Sequence, residues 1–130
     1  MSNSNDIGKI GEDIACKFLE RNNFKIIERN FECKQGEIDI IAIDKEELVF
    51  IEVKTRSNHK FGEGINAVDN YKQKHIYKSA SYYIFKRNLE REFIRFDVIE
   101  IYIKNKITIK HLKNVEFKVW ILHFKIYVIK

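Results

Sequence analysis

The stretch Gly36–Arg56, "GEIDIIAIDKEELVFIEVKTR", reads as two strands joined by "DKEE", and the order of elements around it decides the fold. It is also chemically odd. Asp39, Glu52 and Lys54 sit among the most apolar and β-branched residues of the chain. A buried carboxylate without a partner is costly, so fold stability alone rarely selects such a placement. A two-residue loop at Lys45-Glu46 and a four-residue loop from Asp44 to Glu47 give the same hairpin register. In that register Asp39 faces Glu52, and Glu37 faces Lys54. Side chains alternate along a strand, so Glu37, Asp39, Glu52, Lys54 and Arg56 share one face.

Directly opposed β-carbons lie about 5 Å apart. Two ionised carboxylates that close repel unless something positive stands between them. A divalent cation fits, because oxygen ligands at about 2.1 Å from Mg²⁺ let both carboxylates share one ion. Lys54 then lies one strand step beyond, within reach of a water or a phosphate oxygen. The plainer alternative is a Glu52–Lys54 surface ion pair on an edge strand, with Asp39 merely solvated.

Working outward, Ile10, Ile14, Ala15, Phe18 and Leu19 follow helical spacing from about Ile7 to Asn22. Asn5 or Asp6 is the expected cap and "RNN" the expected stop. "FKIIERNFE", Phe24 to Glu32, reads as the first strand. After "SNHKFGEG" a long helix is expected from about Ala67 to Arg87, with Val68, Ile76, Ala80, Tyr83 and Ile84 on its inner side. "FIRFDVIEIYI" and "KITIKHL" form a last strand pair turning at "KNK". The order α-β-β-β-α-β-β predicts an α/β fold, a mixed sheet flanked by helices.

The 130 residues suffice for one domain with its own core. A formal charge of +5 suits a polyanionic partner such as nucleic acid, although solubility alone also explains it. Cys16 and Cys33 lack CxxC spacing and read as reduced thiols, one in a helix and one in a strand. "MSNSNDIG" has no basic or apolar signal region, so a cytoplasmic protein is expected. The tail "VWILHFKIYVIK" is short and interrupted by Lys125, so no membrane span is expected there. His59, His75, His111 and His123 show no HxxxH-type spacing, which argues against zinc.

At these residues the chain resembles the PD-(D/E)XK nuclease superfamily, and within it the YraN-like bacterial proteins similar to archaeal Holliday-junction resolvases. The resemblance is carried by "GEDIACKFL", "GEIDIIA", "VFIEVKTR", "FG" at Phe61-Gly62, "VDNYKQKHI", "RFDVI" and "IKHLKN". It covers about residues 8 to 115 and implies a restriction-endonuclease-like core. The implied activity is Mg²⁺-dependent endonuclease hydrolysis of DNA phosphodiester bonds, with Mn²⁺ as substitute, in branched or structured DNA. The alternative is a nucleic-acid-binding module of the same fold without turnover.

By the same resemblance, Asp39 and Glu52 are metal carboxylates and Lys54 orients the attacking water and offsets charge building on the phosphate. Glu12 matches a first-helix acid, or is an ordinary solvated helix glutamate. Lys72 and Gln73 match a Lys-Gln pair of the second helix that contacts phosphates near the metal, with Gln73 grouped among the catalytic residues; an exposed helical face explains them equally well. Arg56, His59, Lys60, Lys72 and Lys74 are the expected nucleic-acid contacts. Glu37 is either a partner of Lys54 behind the site or a simple cross-strand ion pair. Gly8 and Gly11 suggest close approach of the helix to the sheet or to substrate, or a ragged helix start. Arg95 and Asp97 share a face and are expected to form a structural salt bridge. Tyr82, Tyr83 and Phe85 are read as core or a homodimer face, not as a base-stacking platform. A nuclease-like domain is thus expected over residues 1–115, and 116–130 form an apolar extension beyond it.

Overall fold

The computed structural model describes residues 4–57, 70–89 and 93–116. Its elements run α1 (Ser4–Arg21), β1 (Lys25–Cys33), β2 (Gly36–Asp44), β3 (Glu47–Arg56), α2 (Asn70–Arg87), β4 (Phe93–Ile103) and β5 (Ile107–Leu112). This is the expected α/β order. Asn5 and Asp6, expected as caps, instead lie inside the first turn of α1. His59, Lys60, Phe61-Gly62, Val68 and the extension from residue 117 onward lie outside the described residues.

Both helices end in the same way. Asn23 adopts a left-handed φ of 68°, and the Phe24 N–H donates to the Leu19 carbonyl at 2.9 Å. Asn88 repeats this with φ 58° and a Leu89 N–H to Ile84 carbonyl bond at 2.9 Å. Asparagine tolerates this conformation, and the bonds satisfy carbonyls that the helix leaves open.

The five strands lie side by side in chain order, β1-β2-β3-β4-β5. All neighbours are antiparallel except β3 and β4, which α2 links as a parallel crossover. β4 is buried without interruption from Arg95 to Tyr102, as a strand covered on both faces must be. On one face Ala15, Cys16 and Leu19 of α1 pack on Ile40, Ala42, Val49, Ile51, Ile99 and Ile101. On the other, Ile76, Ala80, Tyr83 and Ile84 of α2 pack on Ile41, Leu48, Phe50, Phe96 and Val98. Each large side chain so buried stabilises by about 1.5–3 kcal/mol. Ile10, expected on the buried stripe of α1, is 48% exposed. The two cysteines are free thiols, as expected.

The β2–β3 hairpin has the expected register, with Ile40 opposite Ile51 and Asp44 opposite Glu47. Lys45 takes the left-handed φ of 58° that a tight two-residue loop favours. At the hairpin's loop end the expected Arg95–Asp97 pair forms within a larger, partly buried network. The Arg95 guanidinium donates to both Asp97 oxygens at 2.9 and 3.0 Å, and also pairs with Asp44 at 3.0 Å and Glu47 at 2.9 Å. Asp97 accepts further bonds from the His111 ring and the Asn114 N–H, so β5 and the segment after it are tied to β4. Among the described residues no helix is long and apolar enough to cross a membrane.

Candidate active site

The other end of the hairpin opens into a fork. Its paired residues stop at Ile40–Ile51, and the Val53 N–H beyond them donates to Asp39 Oδ2 at 2.8 Å. The carboxylate here does what a strand carbonyl does further along. Glu37 is therefore not paired across to Lys54, and no Glu37–Lys54 ion pair forms among the described residues. On its other side Asp39 lies opposite Asn30, and that pairing is also interrupted. Asn30 has φ 52°, a left-handed kink inside β1. Alternation breaks at the same place. Ile38 belongs to the core beneath α2, whereas Ile40 belongs to the core beneath α1.

The fork floors a cleft of about 370 Å³ between the two helices. Gly8 and Glu12 of α1 line one side and Lys72 of α2 another, over Asp39, Glu52 and Lys54. Gly11 explains how α1 comes so near. A β-carbon there would lie 1.8 Å from Thr55 Oγ1, so only glycine lets the helix rest on β3. Gly8 has open space around it and makes no such contact.

Electrostatics in the cleft follow from burial. Burial and then the charge of Glu52 push Asp39 up to about 7. Burial and the charge of Asp39 also raise Glu12, against the opposing Asn30 hydrogen bond and Arg29. Lys72 Nζ stands 2.6 Å from Glu52 Oε1, and Lys54 Nζ 3.8 Å from the same oxygen. Burial acts to lower Lys72, but the charge and hydrogen bond of Glu52 outweigh it and hold Lys72 above the ordinary lysine value. Lys54 is lowered, first by burial and then by its contact with Lys72.

Of the expected site residues, the cleft brings together Glu12, Asp39, Glu52, Lys54 and Lys72. Gln73 is half-buried and does not line it, and Lys74 is exposed further along α2. Arg56 turns toward the fully buried Glu100, with Nε 3.8 Å from Oε2, while the Tyr102 hydroxyl donates to Oε2 at 2.8 Å. The sequence reading missed Asn30, Thr55 and Glu100. Asn30 carried a signal, being an asparagine in the middle of a strand; Glu100 carried none before β4 was known to lie parallel beside β3.

A magnesium-type ion fits this donor set. The carboxylate oxygens are hard donors, and Mg²⁺ commonly uses only one or two of them while keeping waters. Burial and the neighbouring Glu52 carboxylate raise Asp39, and a cation shared by the two carboxylates would relieve that repulsion. Among the described residues no three acidic, histidine or cysteine side chains form a ready-made cage, so Lys72 must yield Glu52 to an incoming ion.

Fold and cleft together define an α/β protein of restriction-endonuclease-like order with a carboxylate–lysine cleft at one end of its sheet. The family description "Uncharacterised protein family UPF0102" matches residues 11–101. A UPF0102 protein of Caldanaerobacter subterraneus subsp. tengcongensis is 43% identical over 114 residues, covering 87% of this chain and 93% of the relative. Relatives from Clostridium botulinum (strain 657) and Clostridioides difficile are each 47% identical; they cover 84% and 86% of this chain and 92% and 97% of their own lengths. The chain belongs to the UPF0102 family, the YraN-like family that its motifs resemble.

Proposed function

We propose that the protein is a divalent-metal-dependent endonuclease that hydrolyses phosphodiester bonds of DNA. The observation that carries this reading is the convergence of Glu12, Asp39 and Glu52 with Lys54 and Lys72 on one cleft. Asp39 and Glu52 would hold Mg²⁺ or Mn²⁺, which supplies Lewis-acid polarisation of the phosphate when bound. Lys54, with Nζ 3.8 Å from Glu52 Oε1 in the cleft, orients the attacking water. Lys72, kept charged, offsets the charge that builds on the phosphate. Glu12 adds to the acidic rim at the α1 side. Gln73 does not line the cleft and receives no catalytic assignment.

One observation favours a second reading, a nucleic-acid-binding module without turnover: the Lys72 ammonium already neutralises Glu52. Incubating the protein with flap, fork, junction and linear DNA in Mg²⁺, Mn²⁺ or EDTA separates the two. Metal-dependent cutting that Lys54→Ala abolishes, with metal binding kept, supports the nuclease. Retention of DNA without cutting in any metal supports the binding module.

A further inference from the structure

α2 has a second face that neither the core nor the cleft uses. Ile76, Ala80, Tyr83 and Ile84 point inward. Tyr71, Lys74, Lys78, Tyr82 and Phe85 recur at helical spacing, and at about 100° per residue they fall on one narrow stripe opposite the core. Tyr71 is 73% exposed, Phe85 75% and Tyr82 37%. Of the three aromatics that the sequence reading assigned to core or dimer face, only Tyr83 enters the core. Phe31 stacks against Tyr82 with ring centroids 6.3 Å apart, and Lys86 Nζ lies 5.8 Å from the Tyr82 ring centroid, so neighbours on either element hold that ring in place.

The charge of the stripe selects its occupant. α2 contains no acidic residue, and Lys74 and Lys78 make no ion pair among the described residues. A second copy packed α2 to α2 would set lysines against lysines. Exposed rings interleaved with lysines match a single nucleic-acid strand, whose bases stack on rings and whose phosphates seek ammonium groups. Beside the stripe opens a cavity of about 620 Å³, lined by Lys78, Ser81, Tyr82 and Phe85 together with Gln35. The stripe begins at Tyr71, next to Lys72 of the cleft, and reaches Phe85 about 20 Å along the helix.

We infer that the solvent face of α2 binds a single-stranded segment of nucleic acid leading to the cleft, with bases on Tyr82 and Phe85 and phosphates at Lys74 and Lys78. This rests on the nuclease reading for the fate of the strand, and on α2 alone for its binding. A duplex keeps its base faces stacked inside and cannot offer them to these rings, so single strands are preferred.

The test is fluorescence anisotropy of the full chain in EDTA, with labelled oligo-dT and a duplex of equal length. Wild type should hold the single strand more tightly than the duplex. Removing each ring, in Tyr82→Ala and Phe85→Ala, should weaken oligo-dT binding about tenfold, and Phe85→Trp should restore it. Lys78→Gln should flatten the log–log salt slope by about 0.7. Both rings are exposed, and a thermal melt confirms that the variants fold. Unchanged oligo-dT affinity in the doubly substituted protein overturns the inference. So does a wild-type dimer that Phe85→Ala dissociates without change in DNA affinity, which assigns the face to a second copy. Cleavage in Mg²⁺ together with unchanged oligo-dT affinity would leave the nuclease standing and remove this inference. Ring-dependent strand binding by a protein that cuts nothing would do the reverse.

Discussion

Lys72 Nζ of α2 stands 2.6 Å from Glu52 Oε1 of β3, where the sequence alone suggested a divalent cation. The ammonium and the metal therefore compete for one carboxylate. Lys72→Met keeps the aliphatic stem and removes the competitor, so Mn²⁺ should bind it more tightly than wild type, by roughly tenfold for the loss of one short ion pair. Calorimetric titration of the two proteins measures this. Equal affinities would mean that Lys72 does not occupy the metal's place.

Metal affinity should also depend on pH with a defined sign. Asp39 must ionise to act as a ligand, and its surroundings raise it to about 7. Below that pH, Mn²⁺ binding releases a proton and its affinity should climb up to about tenfold per pH unit; above it, the dependence should level off. Titrations between pH 5.5 and 8.5 give the profile, and Asp39→Asn should abolish the site.

The same raised carboxyl affects stability in EDTA. A group whose folded pKa exceeds its unfolded value contributes stability that is whole below the unfolded value, near 4, and lost as pH rises through about 7. Metal-free wild type should thus melt lower at pH 8 than at pH 5.5. Asp39→Asn should narrow that gap and be more stable than wild type at pH 8, by about 1–3 kcal/mol. Calorimetric melts at the two pH values check it.

At the far end of the sheet the sign reverses. Burial alone would raise Asp97, but hydrogen bonds from His111, Arg95 and the Asn114 N–H outweigh it and hold its carboxyl below the ordinary range. Its contribution is present above the unfolded pKa and fades as pH falls through the lower folded value. Asp97→Asn weakens the bidentate Arg95 pair and should cost about 3 kcal/mol at pH 7, read from urea unfolding. The difference from wild type should shrink toward pH 3.

The two helix glycines should respond in opposite directions. At Gly11 an added methyl meets Thr55, so Gly11→Ala forces α1 off β3 and should cost roughly 1–3 kcal/mol. At Gly8 nothing lies within 4 Å, so Gly8→Ala should gain about 1 kcal/mol of helix propensity. Urea midpoints of the two variants decide. A loss at both positions would mean that helix backbone geometry, not the Thr55 contact, governs the response.

Much of this molecule was legible in short-range pattern. Strand pleat and a tight loop between two apolar runs determine the β2–β3 register, because a slip of one residue would send every side chain to the wrong face. Helical spacing likewise determined the inner face of α2, where Ile76, Ala80, Tyr83 and Ile84 are buried. Asp39 and Glu52 could thus be brought to one site from sequence, since both belong to a single hairpin.

Tertiary structure alone decided what surrounds them. Lys72 reaches Glu52 from a helix that crosses over between β3 and β4, and Glu100 comes beside Lys54 only through the parallel pairing of those strands. At the Asn30 kink the expected cross-strand face becomes a fork, where Glu37 and Lys54 do not pair across the strands but line the cleft together with Glu12. Periodicity reports which side of its own element a residue occupies. How far the strands stay paired, and which helix end arrives above the gap, depends on contacts between segments distant in the chain, where packing and burial set the outcome.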